Sequence, residues 1–238
     1  MKITLFIPCF VDQLFPRVGV SAVRIFEKLG HTVEFKEALI CCGQPAFNAG
    51  YWEETRTIAR RVLEALRGED PVVVPSGSCG AMIRNFYPEL FRHAAQAEAA
   101  NQLSRRTFEF SSFLVDQLGV TDLGSRFPAK VTFHDGCHGL RELHIKSQPR
   151  RLLERVKDLT LVEMEDQTSC CGFGGTFAVK FPMISTAMGE TKSASALDTG
   201  AEYLVSNDSS CLMHLQGLLN RRKQKLKTIH LAEVLAST

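Results

Sequence analysis

The 238-residue sequence contains no run of about 18 apolar residues, the minimum for a membrane-spanning helix. Residues 3–8 near the N-terminus are apolar, but the stretch is too short for the core of a secretion signal. Asp12 follows it with no small-residue cleavage site, so the expected compartment is the cytoplasm. No sign of charge dominates: 28 basic residues against 26 acidic ones leave a net +2, which gives no electrostatic case for nucleic acid. No G-x-x-x-x-G-K-[ST] loop occurs, so nucleotide hydrolysis has no support. No C-x(2)-C-x(2)-C run occurs, which excludes a ferredoxin-type module, and no C-x(2–4)-C knuckle of the kind that pairs zinc ligands. What the sequence does have is eight cysteines, an excess for a reducing compartment, where thiols stay free, bind metal or do redox chemistry.

Short β-prone apolar runs alternate with amphipathic stretches. Strands are expected at 2–8, 31–35 and 72–74, with helices at 18–29, 53–66, 86–103 and 111–118. The same order begins again with strands at 130–133, 160–163 and 203–205. Helices are expected there at 150–157, 183–198, 211–219 and 228–235. Residues 122–129 read as a linker between a first repeat, 1–121, and a second, 128–238. Strands separated by helices predict an α/β fold: two tandem Rossmann-like halves with mainly parallel sheets, related by an approximate twofold.

The cysteines carry the repeat. Cys9 matches Cys137 at an offset of 128, the pair Cys41-Cys42 matches Cys170-Cys171 at 129, and Cys79 matches Cys211 at 132. Their contexts repeat too: KITLFIPC with KVTFHDGC, CCGQPAF with CCGFGGTF, VVVPSGSC with YLVSNDSSC. In parallel α/β folds the loops at the carboxyl ends of strands gather into one crevice, so cysteines distant in sequence converge. Four thiolates per half is the ligand count of a [4Fe–4S] cluster and also of a structural zinc site. Adjacent cysteines suit a multi-iron cluster better, because each can reach a different metal. Zinc-stabilised folding, thiol–disulfide chemistry at the Cys-Cys pairs, and plain core filling remain as alternatives.

On these motifs the two repeats resemble the cysteine-rich CCG domain, which occurs twice in the heterodisulfide reductase B subunit and in the glycolate oxidase iron–sulfur subunit. The stretches CFVDQLFPRVG, CCGQPAFNAGYWEE and PSGSCGAM look specifically like the lactate utilization protein A family. The resemblance implies an iron–sulfur oxidoreductase subunit, with one or two clusters, [4Fe–4S] in type, held by Cys9, Cys41, Cys42, Cys79, Cys137, Cys170, Cys171 and Cys211. It also implies two partner subunits in cytoplasmic oxidation of L-lactate to pyruvate. One partner carries ferredoxin-type clusters, and the small molecule is a 2-hydroxy acid. The family pattern ends each repeat with C-x-x-C, and here the first cysteine of that element is replaced by Ser76 and Asp208. Either supplies an oxygen ligand, or each simply caps the helix that follows. Zinc in one repeat is the alternative filling.

The run from His134 to Arg141 is dense in polar groups, and His138 and Arg141 are expected beside the second set of cysteines. There His138 could move protons and Arg141 could pair with a carboxylate. His144 and His214 are expected to be ordinary surface or packing residues, and Tyr51 and Trp52 to belong to core or interface.

Overall fold

The computed structural model describes residues 1–36 and 41–238. Among them, eight strands form two four-stranded sheets, parallel throughout. The first holds β1 (Lys2–Leu5), β2 (Thr32–Phe35), β3 (Val72–Val74) and β4 (Thr107–Glu109) in the order β2-β1-β3-β4. The second holds β5 (Lys130–His134), β6 (Thr160–Leu161), β7 (Tyr203–Ser206) and β8 (Lys227–His230) in the order β6-β5-β7-β8. The expected tandem Rossmann-like halves are therefore present. Each sheet steps to one side of its first strand and then to the other. This leaves a crevice at the carboxyl ends of β1 and β3, and of β5 and β7, where such folds place their ligands.

The sequence explains the layering. β3 is Val-Val-Val, buried on both faces, as a central parallel strand must be. The helix Trp52–Ala65 carries Glu53 and Glu54 in its first turn and turns Thr55, Ala59, Val62 and Leu63 inward. One apolar core runs between the halves, joining Ile3, Leu5 and Phe26 to Phe133, Val205 and Leu231. Smaller clusters lie beneath each set of cysteines, one containing Cys42 and Cys79, the other Cys171 and Cys211.

The helix Gly77–Ala81, which follows β3, packs on Cys137–Glu142, which follows β5. The reciprocal pair, Ser209–Arg221 and Cys9–Leu14, is also in contact, as an approximate twofold requires. A Cβ on Gly77 would lie 2.9 Å from the Gly139 Cα, so this crossing needs a residue without one.

Three expectations are corrected. β4 occupies residues read as the gap between two helices. The helix expected at 86–103 is instead a π-helical turn, Met82–Phe86, followed by the separate helices Tyr87–Leu90 and Ala97–Arg105. The helix expected at 228–235 begins as β8, and only Leu231–Leu235 is helical. His230 marks the change: its Nδ1 accepts from the Ala232 N–H at 3.1 Å and caps the short helix. The segment 122–129, between the two sheets, packs onto the fold. Leu123 and Ser125 are buried, and Phe127 N–H donates to the Lys157 carbonyl at 3.0 Å.

Candidate metal centres

The three loops that follow β1, β2 and β3 bring four cysteines together. Cys9 opens the helix Cys9–Leu14, Cys41 and Cys42 lie in the loop before Gln44–Asn48, and Cys79 sits in the first turn of Gly77–Ala81. The Cys42 thiol donates to the Cys79 Sγ at 3.2 Å, and Cys9 and Cys41 are hydrogen-bond neighbours. Cys42 and Cys79 are buried while Cys9 and Cys41 are partly exposed, so the set has a deep pair and a shallow pair. The glycine of Cys-Cys-Gly is needed for its backbone: Gly43 has φ +85°, and its N–H donates to the Cys41 Sγ at 3.3 Å. The buried Tyr87 hydroxyl donates to the Cys42 carbonyl at 2.8 Å and holds the deep end in place. A narrow cleft opens over these sulfurs, and Phe173, Ser209 and Ser210 of the second half help to line it.

The second half repeats the arrangement. Cys137 and Cys170 are partly exposed, Cys171 and Cys211 buried. Cys170 neighbours both Cys137 and Cys171, and Cys171 neighbours Cys211. Gly172 has φ +89°, and its N–H donates to the Cys170 Sγ at 3.4 Å. One member is new. His134, at the end of β5, is fully buried with neither ring nitrogen hydrogen-bonded. A ring nitrogen lies within 4.8 Å of the Cys171 and Cys211 sulfurs. Burial pulls its pKa down to about 4, leaving a neutral imidazole, the form that binds metals.

The electrostatics of each set point the same way. Hydrogen bonds from Cys42 and Cys9 draw Cys41 down to about 3, and those from Cys137 and Cys171 draw Cys170 down to about 2. The partners move the other way: hydrogen bonding to Cys41 raises Cys9 and Cys42, and hydrogen bonding to Cys170 raises Cys137 and Cys171. Four sulfurs packed this closely share one negative charge easily, and further ionisation needs cations among them. The donor set, all sulfur with one unpartnered imidazole, fits an iron–sulfur cluster or zinc and does not fit a hard cation.

Of the other expected residues, Ser76 accepts from the Cys79 N–H at 3.3 Å and caps its own helix. Asp208 does not cap the helix that follows it. Its Oδ1 reaches across the junction and accepts from Ser76 Oγ at 2.7 Å, Ser78 Oγ at 2.8 Å and Ser78 N–H at 3.0 Å. Three donors at one buried turn draw the carboxylate away from its own helix. His138 lies beside the second set, with Nδ1 3.5 Å from Cys137 Sγ, and its Nε2 is 3.2 Å from Gln44 Nε2 in the first half. Arg141 is exposed and stands apart from this network.

Arg150, which sequence reasoning passed over, pairs with carboxylates of the protein itself beside the second set. It bonds Asp135 through two nitrogens at 2.8 and 3.0 Å, Glu163 at 2.5 and 3.0 Å, and Gln167 at 2.7 Å. It thereby clamps the loop before Cys137 to the segment leading to Cys170. The only signal for it was the acidic residue in His-Asp-Gly-Cys, which needs a buried partner. Lys192 is a second omission. It is fully buried, donates to the Asp166 carbonyl, and lies close enough to Cys170 and Cys171 to feel their charge. Thr55 and Ile58 stand over Gly43 as Ser185 and Met188 stand over Gly172, which aligns Lys192 with Val62 of the first half. His144 is exposed, and His214 packs against Ser185, 3.4 Å from its carbonyl. Tyr51 and Trp52 are exposed rather than core; Trp52 stacks on Phe47 with ring centroids 5.7 Å apart.

The cysteine-rich domain model described as CCG matches this chain twice, at residues 3–84 and 131–216. The chain is 44% identical to "Lactate utilization protein A" of Bacillus pumilus over 241 residues, covering all of both chains. It is 46% identical to the protein of that name from an Exiguobacterium species, covering 98% of this chain and 96% of the other. To that of Oceanobacillus iheyensis it is 43% identical over 99% of this chain and 96% of the other. Among solved structures, a hypothetical protein from Helicobacter pylori superposes with a TM-score of 0.62 at 11% identity, over 98% of this chain and 48% of that one. That likeness concerns the fold alone.

Proposed function

This chain belongs to the CCG cysteine-rich domain family and to the lactate utilization protein A family within it, and on that premise we propose that it is an iron–sulfur oxidoreductase subunit of a cytoplasmic assembly oxidising L-lactate to pyruvate. The observation that carries this reading is the twofold repetition of one sulfur site, with a deep and a shallow cysteine pair in each half. Cys9, Cys41, Cys42 and Cys79 would hold one cluster, and Cys137, Cys170, Cys171 and Cys211 the other. Bound there, a [4Fe–4S] cluster supplies one-electron transfer. Conversion of a 2-hydroxy acid to a 2-oxo acid releases two electrons, which two such centres on one chain can accept. No helix among the described residues is long and apolar enough to cross a membrane.

The partner that exchanges electrons with this chain, one with ferredoxin-type clusters, would dock near the second centre. Val179, Phe181, Met183 and Ile184 stand exposed there, and Phe181 lines the same hollow as Cys170. The Lys180 ammonium, 5.6 Å from the Tyr51 ring centroid, joins this patch to the first half.

A second reading, a zinc-stabilised assembly subunit, draws on one observation: His134, Cys171 and Cys211 offer three donors within 4.8 Å of one another, a spacing that a single ion also accepts. The experiment that separates the readings is addition of L-lactate to the anaerobically purified chain together with its co-purified partner subunits. Bleaching of the chain's visible iron–sulfur absorbance supports the redox role. A coloured chain whose absorbance lactate does not change refutes it.

A further inference from the structure

We propose that the two centres are chemically different, and that the second takes the imidazole of His134 as a nitrogen ligand alongside its cysteines, whereas the first is held without one. This inference rests on the reading of both cysteine sets as metal centres.

The argument begins with alignment. KITLFIPC and KVTFHDGC superpose without a gap, which places Phe6 against His134. The structure gives the two residues the same position. Phe6 is fully buried and packs in the apolar cluster that contains Cys42 and Cys79. His134 is fully buried beside Cys171 and Cys211, the counterparts of those two cysteines. A phenyl ring in that place is satisfied by packing alone. An imidazole is not, because burying its ring nitrogens strips them of water and leaves them without a hydrogen-bond partner in return. Neither nitrogen has a partner among the described residues, and a ring nitrogen lies within 4.8 Å of the Cys171 and Cys211 sulfurs, which are themselves ligand candidates. A metal bound by these sulfurs gives one ring nitrogen the partner it lacks.

The surroundings agree. Each repeat has four cysteines where the family pattern has five, and in the second repeat the missing position is Asp208, whose carboxylate is already taken up by Ser76 and Ser78. Asp208 Oδ1 is therefore committed, while the His134 nitrogens are free. A neutral imidazole adds a ligand without adding the negative charge that a fifth thiolate would bring, and less negative charge at a centre favours a higher reduction potential. The buried Lys192, where the first half has Val62, acts in the same direction. The second centre is then the higher-potential member of the pair.

The test uses the full-length holoprotein, purified anaerobically and labelled with ¹⁵N-histidine, alongside His134→Phe, which installs the first repeat's residue, and His134→Gln. The expected result in the wild type is one histidine nitrogen directly coupled to a metal. It is read by pulsed EPR of the reduced protein if iron is bound, or by the ring ¹⁵N shift if zinc is bound. That signal should be absent in both variants, while metal bound by the first repeat is retained. A metal-loaded wild type with no histidine nitrogen coupled, or a coupling that survives in both variants, overturns the inference and leaves the iron–sulfur reading standing. A chain that binds no metal overturns both, so the metal count separates the two failures.

Discussion

Asp208 Oδ1 lies 2.7 Å from Ser76 Oγ, and this hydrogen bond joins the last loop of one repeat to the matching loop of the other. Both residues occupy the place of the cysteine missing from their repeat, so the two substitutions are partners. With Ser78 donating twice more, Asp208 anchors the helix that presents Cys79. Asp208→Ala should destabilise the protein by about 2–4 kcal/mol, because three donors at a buried turn lose a charged acceptor. Asp208→Asn, which keeps an acceptor oxygen, should cost less than half of that. Urea denaturation midpoints check the order. Equal losses would mean that a neutral acceptor oxygen restores nothing and that the carboxylate charge carries the whole effect.

Arg150 should matter to the second centre more than to the first. Its guanidinium is 14% exposed and the Asp135 carboxylate 1%, so removing it leaves a buried carboxylate without its cation. Arg150→Ala should cost about 3 kcal/mol. It should also lower metal retention by the second repeat, while a Cys171→Ser control identifies that repeat's share. Unchanged metal content at a reduced melting temperature would confine Arg150 to a packing role.

Glu109 makes stability depend on pH. It is fully buried, and burial raises its carboxyl to about 7 from an ordinary value of 4.5. A raised folded-state value means that the protonated form is favoured on folding. The contribution is therefore full below about pH 4.5 and is lost as pH rises to about 7, amounting to about 3 kcal/mol. Glu109→Gln should leave stability near pH 4 unchanged and raise it above pH 7. Chemical denaturation at the two pH values is the measurement, and equal effects at both would remove Glu109 as the source.

The exposed apolar patch gives a prediction about assembly. Val179 is 83% exposed and Met183 86%. Val179→Asp and Met183→Glu should leave melting temperature and metal content unchanged, since neither side chain packs inside. They should weaken co-purification of partner subunits roughly tenfold, equivalent to about 1.4 kcal/mol. Undiminished recovery of partners with both variants would place the contact elsewhere.

The sequence shows the cysteine repeat directly, because ligand spacing survives duplication while loops slip by only a few residues. The strands β1, β3, β5 and β7 were legible for a related reason: a buried parallel strand is a short continuous apolar run. β4 was not, since Thr-Phe-Glu between two helices has no such run, and its place is fixed by pairing with β3. β8 was read as helix because Lys-Thr-Ile-His carries no period long enough to separate the two. Among the site residues, Asp208 was visible as a substitution, but its partners lie in the other repeat and only folding brings them together. Phe6 and His134 align without a gap, yet the alignment says nothing of the buried, unpartnered ring that gives His134 its interest.

The central proposal is that each half carries an iron–sulfur centre. The most direct measurement is the count of iron, acid-labile sulfide and zinc per chain on protein purified anaerobically. Two occupied [4Fe–4S] centres predict about eight iron and about eight sulfide per chain. Stoichiometric zinc with no labile sulfide would contradict the account.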